Sequence, residues 1–271
     1  MGVAERNGGG GAETRLRAGG LEIPAGHRIV SLAERPDLIT PSDYFNGSVW
    51  PSFMLESQVA NGLFGRCFRD WPDFQFVLLD GEGSIVATNN AMPLVWDGTD
   101  DGLPAGWEDQ VIRSVADHDA ARAPNTLGAM QIVVDPALRG GGFAGTMVGA
   151  MQAAGRAAGY RALIACVRPT WKDRYPLIPI ESYARWVRDD GLPFDPWIRL
   201  HARLGGRIVR ASPESMTMRG SVADWERWTG LAMPESGSYV IDRATSPIRV
   251  DRERDEGVYH DENVWMVHDL A

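Results

Sequence analysis

Lysine is nearly absent from this sequence, and positive charge is in short supply. Lys172 is the only lysine, and the 27 lysine and arginine residues together are outnumbered by 36 acidic ones. The net charge at pH 7 is −9, with a pI near 5.1. Nucleic acids and anionic membranes repel such a surface, so we expect neither as a partner.

Cysteines and long apolar stretches are also scarce. Cys67 and Cys166 are too few for a disulfide framework, and Cys166 lies in an apolar run typical of a buried strand. The sequence contains no run of about eighteen apolar residues, the length needed to span a bilayer. The N-terminus lacks the apolar region of a signal peptide. We therefore expect reduced thiols and a cytoplasmic location.

The order of the sequence patterns favours a single mixed α/β domain over residues 27–271. Residues 1–26 are rich in glycine, alanine and arginine without periodicity, which predicts a disordered tail. The remainder alternates strand and helix patterns without an internal repeat, and 44% hydrophobic content is enough for a large core. Apolar residues recur at helical spacing between Ser52 and Arg69, which predicts an amphipathic helix there.

Residues 130–159 are the stretch around which the other patterns are arranged. Met130–Val134 is an apolar run ending at Asp135-Pro136, which indicates a buried strand followed by a turn. The glycines Gly140–Gly142 then precede an alanine-rich segment with helical periodicity. A strand, a glycine turn and a helix N-terminus together present backbone amides to an anion, which can approach closely because glycine has no side chain.

The glycine turn is not a Walker loop, because no lysine followed by serine or threonine comes after it. The run Arg139-Gly140-Gly141-Gly142-Phe143-Ala144, preceded by Ile132-Val133-Val134-Asp135-Pro136, instead resembles the acyl-CoA loop and V-x-P strand of the GNAT acyltransferase superfamily. An ordinary glycine-rich turn is the alternative. The resemblance implies a mixed, splayed central sheet with a parallel strand pair around the CoA-binding helix.

The same resemblance assigns residues to the two ends of CoA. It implies that Ile132, Val133 and Val134 bind the pantetheine arm and polarise the thioester carbonyl through their backbone amides. It also implies that a second set holds the pyrophosphate, namely Arg139, Gly140, Gly141, Gly142, Phe143 and Ala144. A surface arginine that merely packs on the loop is the alternative reading of Arg139.

A second matching segment, Arg199–Gly206, contains a candidate catalytic residue. Many superfamily members have a tyrosine here that protonates the departing CoA thiolate, and His201 stands at that position. The ordinary pKa of histidine, about 6.5, suits reversible proton transfer. A helix histidine packed against its neighbours is the alternative.

The segments following the predicted strand Ala162–Val167 resemble a narrower group, the GNAT-like loading and decarboxylase domains of polyketide assembly lines. In that group a threonine and a histidine serve malonyl-thioester decarboxylation, and Thr170 and His201 stand at the matching positions. The sequence holds no carrier or ketosynthase segment, which leaves open whether it decarboxylates anything. A turn hydroxyl bonded to its own backbone explains Thr170 equally well.

Trp171, Lys172 and Tyr183 are candidates for the mouth of an acceptor site, because they follow the same strand and emerge beside the same cleft. Lys172 would bind a carboxylate or a CoA phosphate, unless it is a solvated loop lysine. Histidine and cysteine spacings indicate no metal site, so we expect no metal.

Three functional hypotheses follow from the sequence. The first is an acyltransferase that carries an acetyl group from acetyl-CoA, or another acyl-CoA, to a small-molecule or peptide amine by direct attack on the thioester. The second is a decarboxylase of a malonyl thioester on CoA or on an acyl carrier protein. The third is a CoA-binding module without catalysis. The sequence does not identify the acceptor.

Overall fold

The computed structural model describes Leu21 and residues 23–47 and 49–271, so most of the predicted tail lies outside the described residues. Within them, nine strands form one mixed sheet. The strands are β1 (Arg28–Ser31), β2 (Phe76–Leu79), β3 (Ile85–Leu94), β4 (Thr126–Val134), β5 (Ala162–Val167), β6 (Gly206–Gly220), β7 (Gly237–Tyr239), β8 (Ile248–Asp251) and β9 (Glu256–Asp269).

The strand order confirms the predicted sheet type. It runs β1-β2-β3-β4-β5-β9-β8-β7, and β6 pairs with the other edge of β9. β4 and β5 are parallel, whereas the remaining pairs are antiparallel. All of β5 is buried, which explains why its sequence is a continuous apolar run rather than an alternating one.

Helices cover the sheet and connect its strands. The α-helices are α1 (Ile39–Gly47), α2 (Arg66–Asp70), α3 (Trp107–Asp119), α4 (Phe143–Ala157), α5 (Ile180–Tyr183), α6 (Pro196–Arg203) and α7 (Val222–Thr229). Short 3₁₀ turns occupy Pro36–Leu38, Ser52–Glu56, Pro72–Phe74, Pro136–Leu138 and Lys172–Arg174, and a π-helical turn occupies Ala60–Phe64. No helix in the described residues is both long enough and apolar enough to cross a membrane.

The organising helix of the sequence, α4, connects the two parallel strands. Its residues Met147 and Ala150 are fully buried and pack with Phe76 and Leu78 of β2. Leu21, which the sequence places within the predicted tail, is buried in the same cluster, so the ordered chain begins earlier than predicted. The helix therefore crosses one face of the sheet and returns the chain to a strand parallel with the first.

The predicted helix from Ser52 to Arg69 is wrong. The segment divides into a 3₁₀ turn, a π-helical turn and α2, because Ser57 adopts an extended backbone at φ −63° and ψ 120°. The Ser57 hydroxyl accepts a hydrogen bond from the Ala60 amide and donates to Glu108 of α3, which stabilises the break. The apolar spacing arises from packing against the main core, where Phe53 is buried.

The parallel strands part halfway along their length. β4 and β5 pair from Thr126 with Ala162 to Ala129 with Ala165. Beyond this point β4 stays paired with β3 and β5 stays paired with β9. A gap therefore opens between residues 130–134 and residues 166–167, and this gap locates the site described below.

Close backbone packing at Gly106, the residue before α3, gives a test of this arrangement. A Cβ added there would lie 2.6 Å from the Ser215 carbonyl oxygen of β6, and backbone cannot move aside as a flexible side chain can. We expect Gly106→Ala to lower the free energy of unfolding by about 2 kcal/mol or more. Thermal and urea unfolding measure the change.

Gly237 of β7 supplies the matched control. A Cβ built there meets no heavy atom within 4 Å, so Gly237→Ala should change stability by less than about 0.5 kcal/mol. Equal stability of the two variants would show that α3 does not approach β6 as closely as described.

Candidate active site

The gap between β4 and β5 contains a narrow cavity of about 80 Å³. Alternate backbone amides of residues 130–134 point away from β3 and into this gap, because an antiparallel ladder uses only one edge of a strand. These amides are therefore free to bind a ligand that enters between the strands. The lining residues are Trp50, Ala129, Met130, Gln131, Ile132, Ala165, Cys166, Val167, Arg168, Trp197 and His201.

A larger cavity of about 280 Å³ adjoins the first. Its walls are mainly aromatic and aliphatic, with a few polar groups among them, as is typical of small-molecule sites. The two cavities share Trp50, Met130, Gln131 and Arg168, so they meet along these residues. The remaining lining residues are Asp43, Met54, Leu55, Ala60, Asn61, Phe64, Trp107, Met216, Asp261 and Asn263.

Helix α6 brings His201 to the strand gap. The Asp195 carboxylate caps this helix by accepting from the amides of Trp197 and Ile198. His201 is only 3% exposed, and its Nδ1 lies 2.9 Å from Nε2 of His268 on β9. The other ring nitrogen of His201, Nε2, remains for the cavity.

The electrostatic state of His201 differs from the expectation. Burial is the larger cause and the neighbouring His268 the smaller one that together lower the pKa of His201 to about 3. The ring is therefore neutral at physiological pH, and the assumption of an ordinary histidine pKa is wrong. Any proton or hydrogen bond that His201 donates comes from a neutral imidazole.

A buried ion pair stands where the two cavities meet. Asp261 is fully buried, and its Oδ1 accepts from Arg168 Nε at 2.9 Å, the Tyr259 hydroxyl at 2.6 Å and the Thr245 hydroxyl at 3.0 Å. Burial opposes the charge of Arg168, but Asp261 outweighs it and raises the pKa of the guanidinium. Arg168 therefore presents a permanent positive charge beside the strand gap.

A chain of side-chain amides fixes the wall that both cavities share. The Trp50 indole donates to Gln131 at 3.1 Å, Gln131 donates to Asn90 at 2.8 Å, and Asn90 donates to Gln75 at 3.0 Å. Gln75 in turn donates to backbone carbonyls on both sides of it. Since each of these side-chain amides has a hydrogen-bond partner, Trp50 and Gln131 are held in defined positions.

Comparison with known proteins identifies the family. No protein-family model matches the chain. It is 30% identical over 286 residues to the arginine N-acetyltransferase avaD of Aspergillus versicolor, and the match covers 94% of this chain and 98% of that protein. The chain belongs to the GNAT acyltransferase superfamily. It is accordingly an acyl-CoA-dependent acyltransferase of the N-acetyltransferase type.

Two solved structures share the GNAT fold with this chain. The loading GNATL domain of CurA from Lyngbya majuscula matches with a TM-score of 0.54 and 15% identity, over 90% of this chain and 98% of that one. The GphF GNAT-like decarboxylase, solved with isobutyryl-CoA, matches with a TM-score of 0.52 and 18% identity, over 90% and 99%. At these identities the likeness concerns the fold.

The loop Arg139–Ala144, which the sequence predicts to bind CoA, has a geometry open to an anion. Gly140 and Gly142 adopt positive φ angles of 88° and 83°, and a Cβ at either would meet no atom within 4 Å. Gly142 caps α4, and the amides of Phe143 and Ala144 precede the first intrahelical bonds, which Gly145 and Thr146 make to the Gly142 carbonyl. The loop from Arg139 is exposed, Phe143 is half-buried against His27, and Ala144 lies in the first turn. The predicted loop residues thus lie together, close in sequence to the open edge of β4.

Three other predicted site residues line neither cavity. Thr170 is exposed on the turn after β5. The Trp171 amide and the Tyr183 hydroxyl both donate to Oδ2 of Asp195, at 2.8 and 2.9 Å. Trp171 and Tyr183 therefore contact the start of α6, and so position the helix that carries His201.

Lys172 is not a solvated loop lysine. Its side chain is fully buried, with Nζ 2.6 Å from Glu262 Oε2, and it donates to the carbonyls of Tyr175 and Thr245. It lines neither cavity. The single lysine of the sequence thus joins the loop after β5 to strand β9, beside the Arg168–Asp261 pair.

Sequence reasoning did not identify Asp43, Gln131, Asp261 or His268 as parts of the site. One signal was available for the last two. β9 is buried on one face over residues 257–262 and on both faces over residues 263–268, yet its buried residues include Asp261, Asn263 and His268. Polar residues within a buried strand require partners, and such residues often surround a functional cavity.

The Lys172–Glu262 pair predicts a pH-dependent loss of stability. Burial raises the pKa of Glu262, whereas Lys172 lowers it. In Lys172→Met the carboxylate has no cation, so we expect unfolding at about pH 8 to cost about 3 kcal/mol less than in wild type. Removing Lys172 raises the folded-state pKa of Glu262 further above its unfolded value, so the deficit should shrink as pH falls through that folded value.

Urea unfolding at about pH 8 and about pH 5.5 measures the deficit. The double variant Lys172→Met/Glu262→Gln removes both charges and should be more stable at the higher pH than the single variant. A deficit that is the same at both pH values would contradict the ion-pair explanation.

Proposed function

We propose that this enzyme transfers an acetyl group from acetyl-CoA, or another acyl group from its CoA thioester, to a nitrogen atom of an arginine-like acceptor. The observation that carries the proposal is that two cavities meet at Trp50, Met130, Gln131 and Arg168. One lies in the strand gap of the GNAT fold, and the other has the size and lining of a small-molecule site. The 30% identity to an arginine N-acetyltransferase supports the acceptor class.

The CoA thioester would enter along the open edge of β4. Along Ile132, Val133 and Val134, the amides that point away from β3 would bind the pantetheine arm and the thioester oxygen, while the Arg139–Ala144 loop would hold the pyrophosphate. The exposed loop with two left-handed glycines and the unpaired strand edge support this direction of binding. His201, with Nε2 directed to the cavity, would lie beside the sulfur atom.

The acceptor would occupy the larger cavity. Trp50, Phe64 and Trp107 offer aromatic faces on which a planar guanidinium can stack. Of the two carboxylates in the lining, Asp261 is already paired with Arg168, whereas Asp43 is exposed at the α1 side. Asp43 is therefore the group we assign to the positive charge of the acceptor. A cavity of about 280 Å³ suits a free small molecule or one side chain of a peptide.

The proposed reaction is direct attack by the acceptor. A neutral acceptor nitrogen forms a bond to the thioester carbon, and the electron pair moves to the carbonyl oxygen, which the β4 amides stabilise. The carbon–sulfur bond then breaks, and its electron pair leaves with sulfur. The nitrogen loses the proton that the thiolate finally gains, while the His201 N–H stabilises the charge on sulfur.

An acyl-cysteine intermediate is not part of this proposal. Cys166 lines the strand gap, but burial raises its pKa to about 12 and its Sγ lies 3.2 Å from the Ser215 hydroxyl. The protonated thiol is a weak nucleophile. Decarboxylation is also less well supported, because Thr170 lines neither cavity. We further propose that residues 27–271 act as one acyltransferase domain in the cytoplasm, without metal.

Incubation with acetyl-CoA and with malonyl-CoA tests the function. Mass spectrometry should show an acetylated product from arginine or its decarboxylated analogue agmatine, with free CoA and no acylated protein. Acetyl-CoA formed from malonyl-CoA without acceptor would support decarboxylation instead. If both thioesters stay intact while CoA raises the melting temperature, the binding-module hypothesis holds.

Two substitutions separate the acceptor site from the thioester site. Asp43→Asn should raise the KM for a cationic acceptor about threefold and leave the KM for acetyl-CoA unchanged, because one ion pair at an exposed position is lost. His201→Met, which has no N–H group, should lower kcat by about a hundredfold. Steady-state kinetics with each substrate varied in turn measures both effects.

Asp73→Asn is the matched control, since Asp73 is an exposed aspartate outside both cavities. An Asp43 variant that behaves like this control would overturn the assignment of the acceptor charge to Asp43.

A further inference from the structure

The environment of His201 contains a chain of hydrogen bonds that continues away from the cleft. His201 Nδ1 lies 2.9 Å from His268 Nε2, and His268 Nδ1 lies 3.0 Å from the side-chain nitrogen of Gln152 on α4. The same Gln152 nitrogen lies 3.0 Å from the Leu204 carbonyl oxygen at the end of α6. Three elements, α4, α6 and β9, are thus joined through these groups.

The chemistry of these groups fixes the direction of each bond. A carbonyl oxygen accepts only, so Leu204 requires that the nitrogen of the Gln152 amide face it rather than the oxygen. That nitrogen carries two hydrogens and donates the second to His268 Nδ1. His268 therefore has its own hydrogen on Nε2 and donates it to His201 Nδ1.

We infer that Gln152 and His268 are positioning residues that set the tautomer of His201, so that an Nε2–H group, and not a lone pair, faces the strand gap. The consequence for turnover rests on the proposed function, whereas the tautomer itself does not. With the opposite tautomer, His201 would direct a lone pair at the departing sulfur and would repel its developing negative charge.

The direction of the hydrogen bond from His268 to His201 depends on Gln152, because a second acceptor lies near His268. The Leu204 carbonyl oxygen also lies 3.3 Å from His268 Nδ1. Without the Gln152 donor, a hydrogen on Nδ1 could bond to this oxygen, and His268 Nε2 would then become an acceptor. His201 would have to donate from Nδ1, and its Nε2 would lose the hydrogen. Removing the Gln152 donor, which lies at a distance from the cleft, should therefore move the ring hydrogen from Nε2 to Nδ1 in both histidines.

Gly206, at the start of β6, leaves the space that this pair of rings needs. A Cβ at Gly206 would lie 2.8 Å from His268 Cε1 and 2.9 Å from His268 Nε2. The second glycine after α6 thus has a steric reason in this chain. Both rings are buried, and burial lowers the pKa of each, so both are neutral and their tautomers are defined at physiological pH.

The test is ¹⁵N NMR of the histidine rings in the full-length protein, in which a protonated and an unprotonated ring nitrogen have well-separated shifts. Wild type should show hydrogen on Nε2 of both His201 and His268. Gln152→Met keeps the side-chain length and removes the donor, and it should move both hydrogens to Nδ1. Gln152→Lys keeps a donor and should retain the wild-type pattern.

Arg156→Met is the control for charge, because Arg156 lies one turn along α4, is exposed, and affects His268 only through its charge. It should leave both tautomers unchanged. In the acyltransfer assay, Gln152→Met should lower kcat about tenfold with no change in the KM for acetyl-CoA, and Gln152→Lys should restore most of it.

The inference is overturned if wild-type His201 has its hydrogen on Nδ1, or if Gln152→Met leaves both rings as in wild type. These results do not depend on activity. A protein with the expected tautomers that acylates no acceptor would contradict the proposed function and leave the tautomer assignment standing.

Discussion

The site depends on the hydrogen bonds that β4 and β5 do not make. Two parallel strands that pair over Thr126–Ala129 and then part leave backbone groups that still require partners. The protein satisfies part of this requirement, since the Trp107 indole donates to the Met130 carbonyl at 2.8 Å. The remaining edge is open to an extended ligand with its own amides, as the pantetheine arm has. The gap can therefore accept a ligand, because backbone groups along its edge are not paired with a neighbouring strand.

Holding two strands apart requires support on both sides of the gap. On the β4 side, the amide chain from Gln75 through Asn90 to Gln131 fixes the strand to the N-terminal half of the sheet. On the β5 side, one part of β9 pairs with β5 and another part pairs with β8. Asp261 lies between these two parts, and its partner Arg168 occupies the space beside it. Burial of this pair gives little net stability, but it fixes the position of a charge beside the strand gap.

The sequence was sufficient to predict the fold, and it also led to a candidate CoA-binding segment from local features alone. β4, the glycine loop and α4 are local features, so the apolar run Met130–Val134 and the glycines Gly140–Gly142 could be interpreted without tertiary information. The larger cavity could not be predicted, because Asp43, Gln131 and Asp261 come from distant segments that only the folded chain brings together. Lys172 shows the same limit. Its burial depends on Glu262, ninety positions later, and nothing near it in sequence indicates that partner.

The neutral state of His201 changes how the catalytic work is divided. A ring whose pKa is lowered to about 3 is a poor base, and its N–H is a far weaker acid than an imidazolium. Full proton transfer from this ring to a thiolate would create a buried anion, which the apolar surroundings oppose. His201 therefore acts best as a fixed dipole, and its value depends on which nitrogen has the hydrogen. Most of the stabilisation must then come from the β4 amides and from the Arg168 charge, which require no proton movement. With the inferred tautomer, the scaffold would serve the proposed reaction by fixing the direction of one hydrogen bond, and it would need no proton donor with a pKa near neutrality.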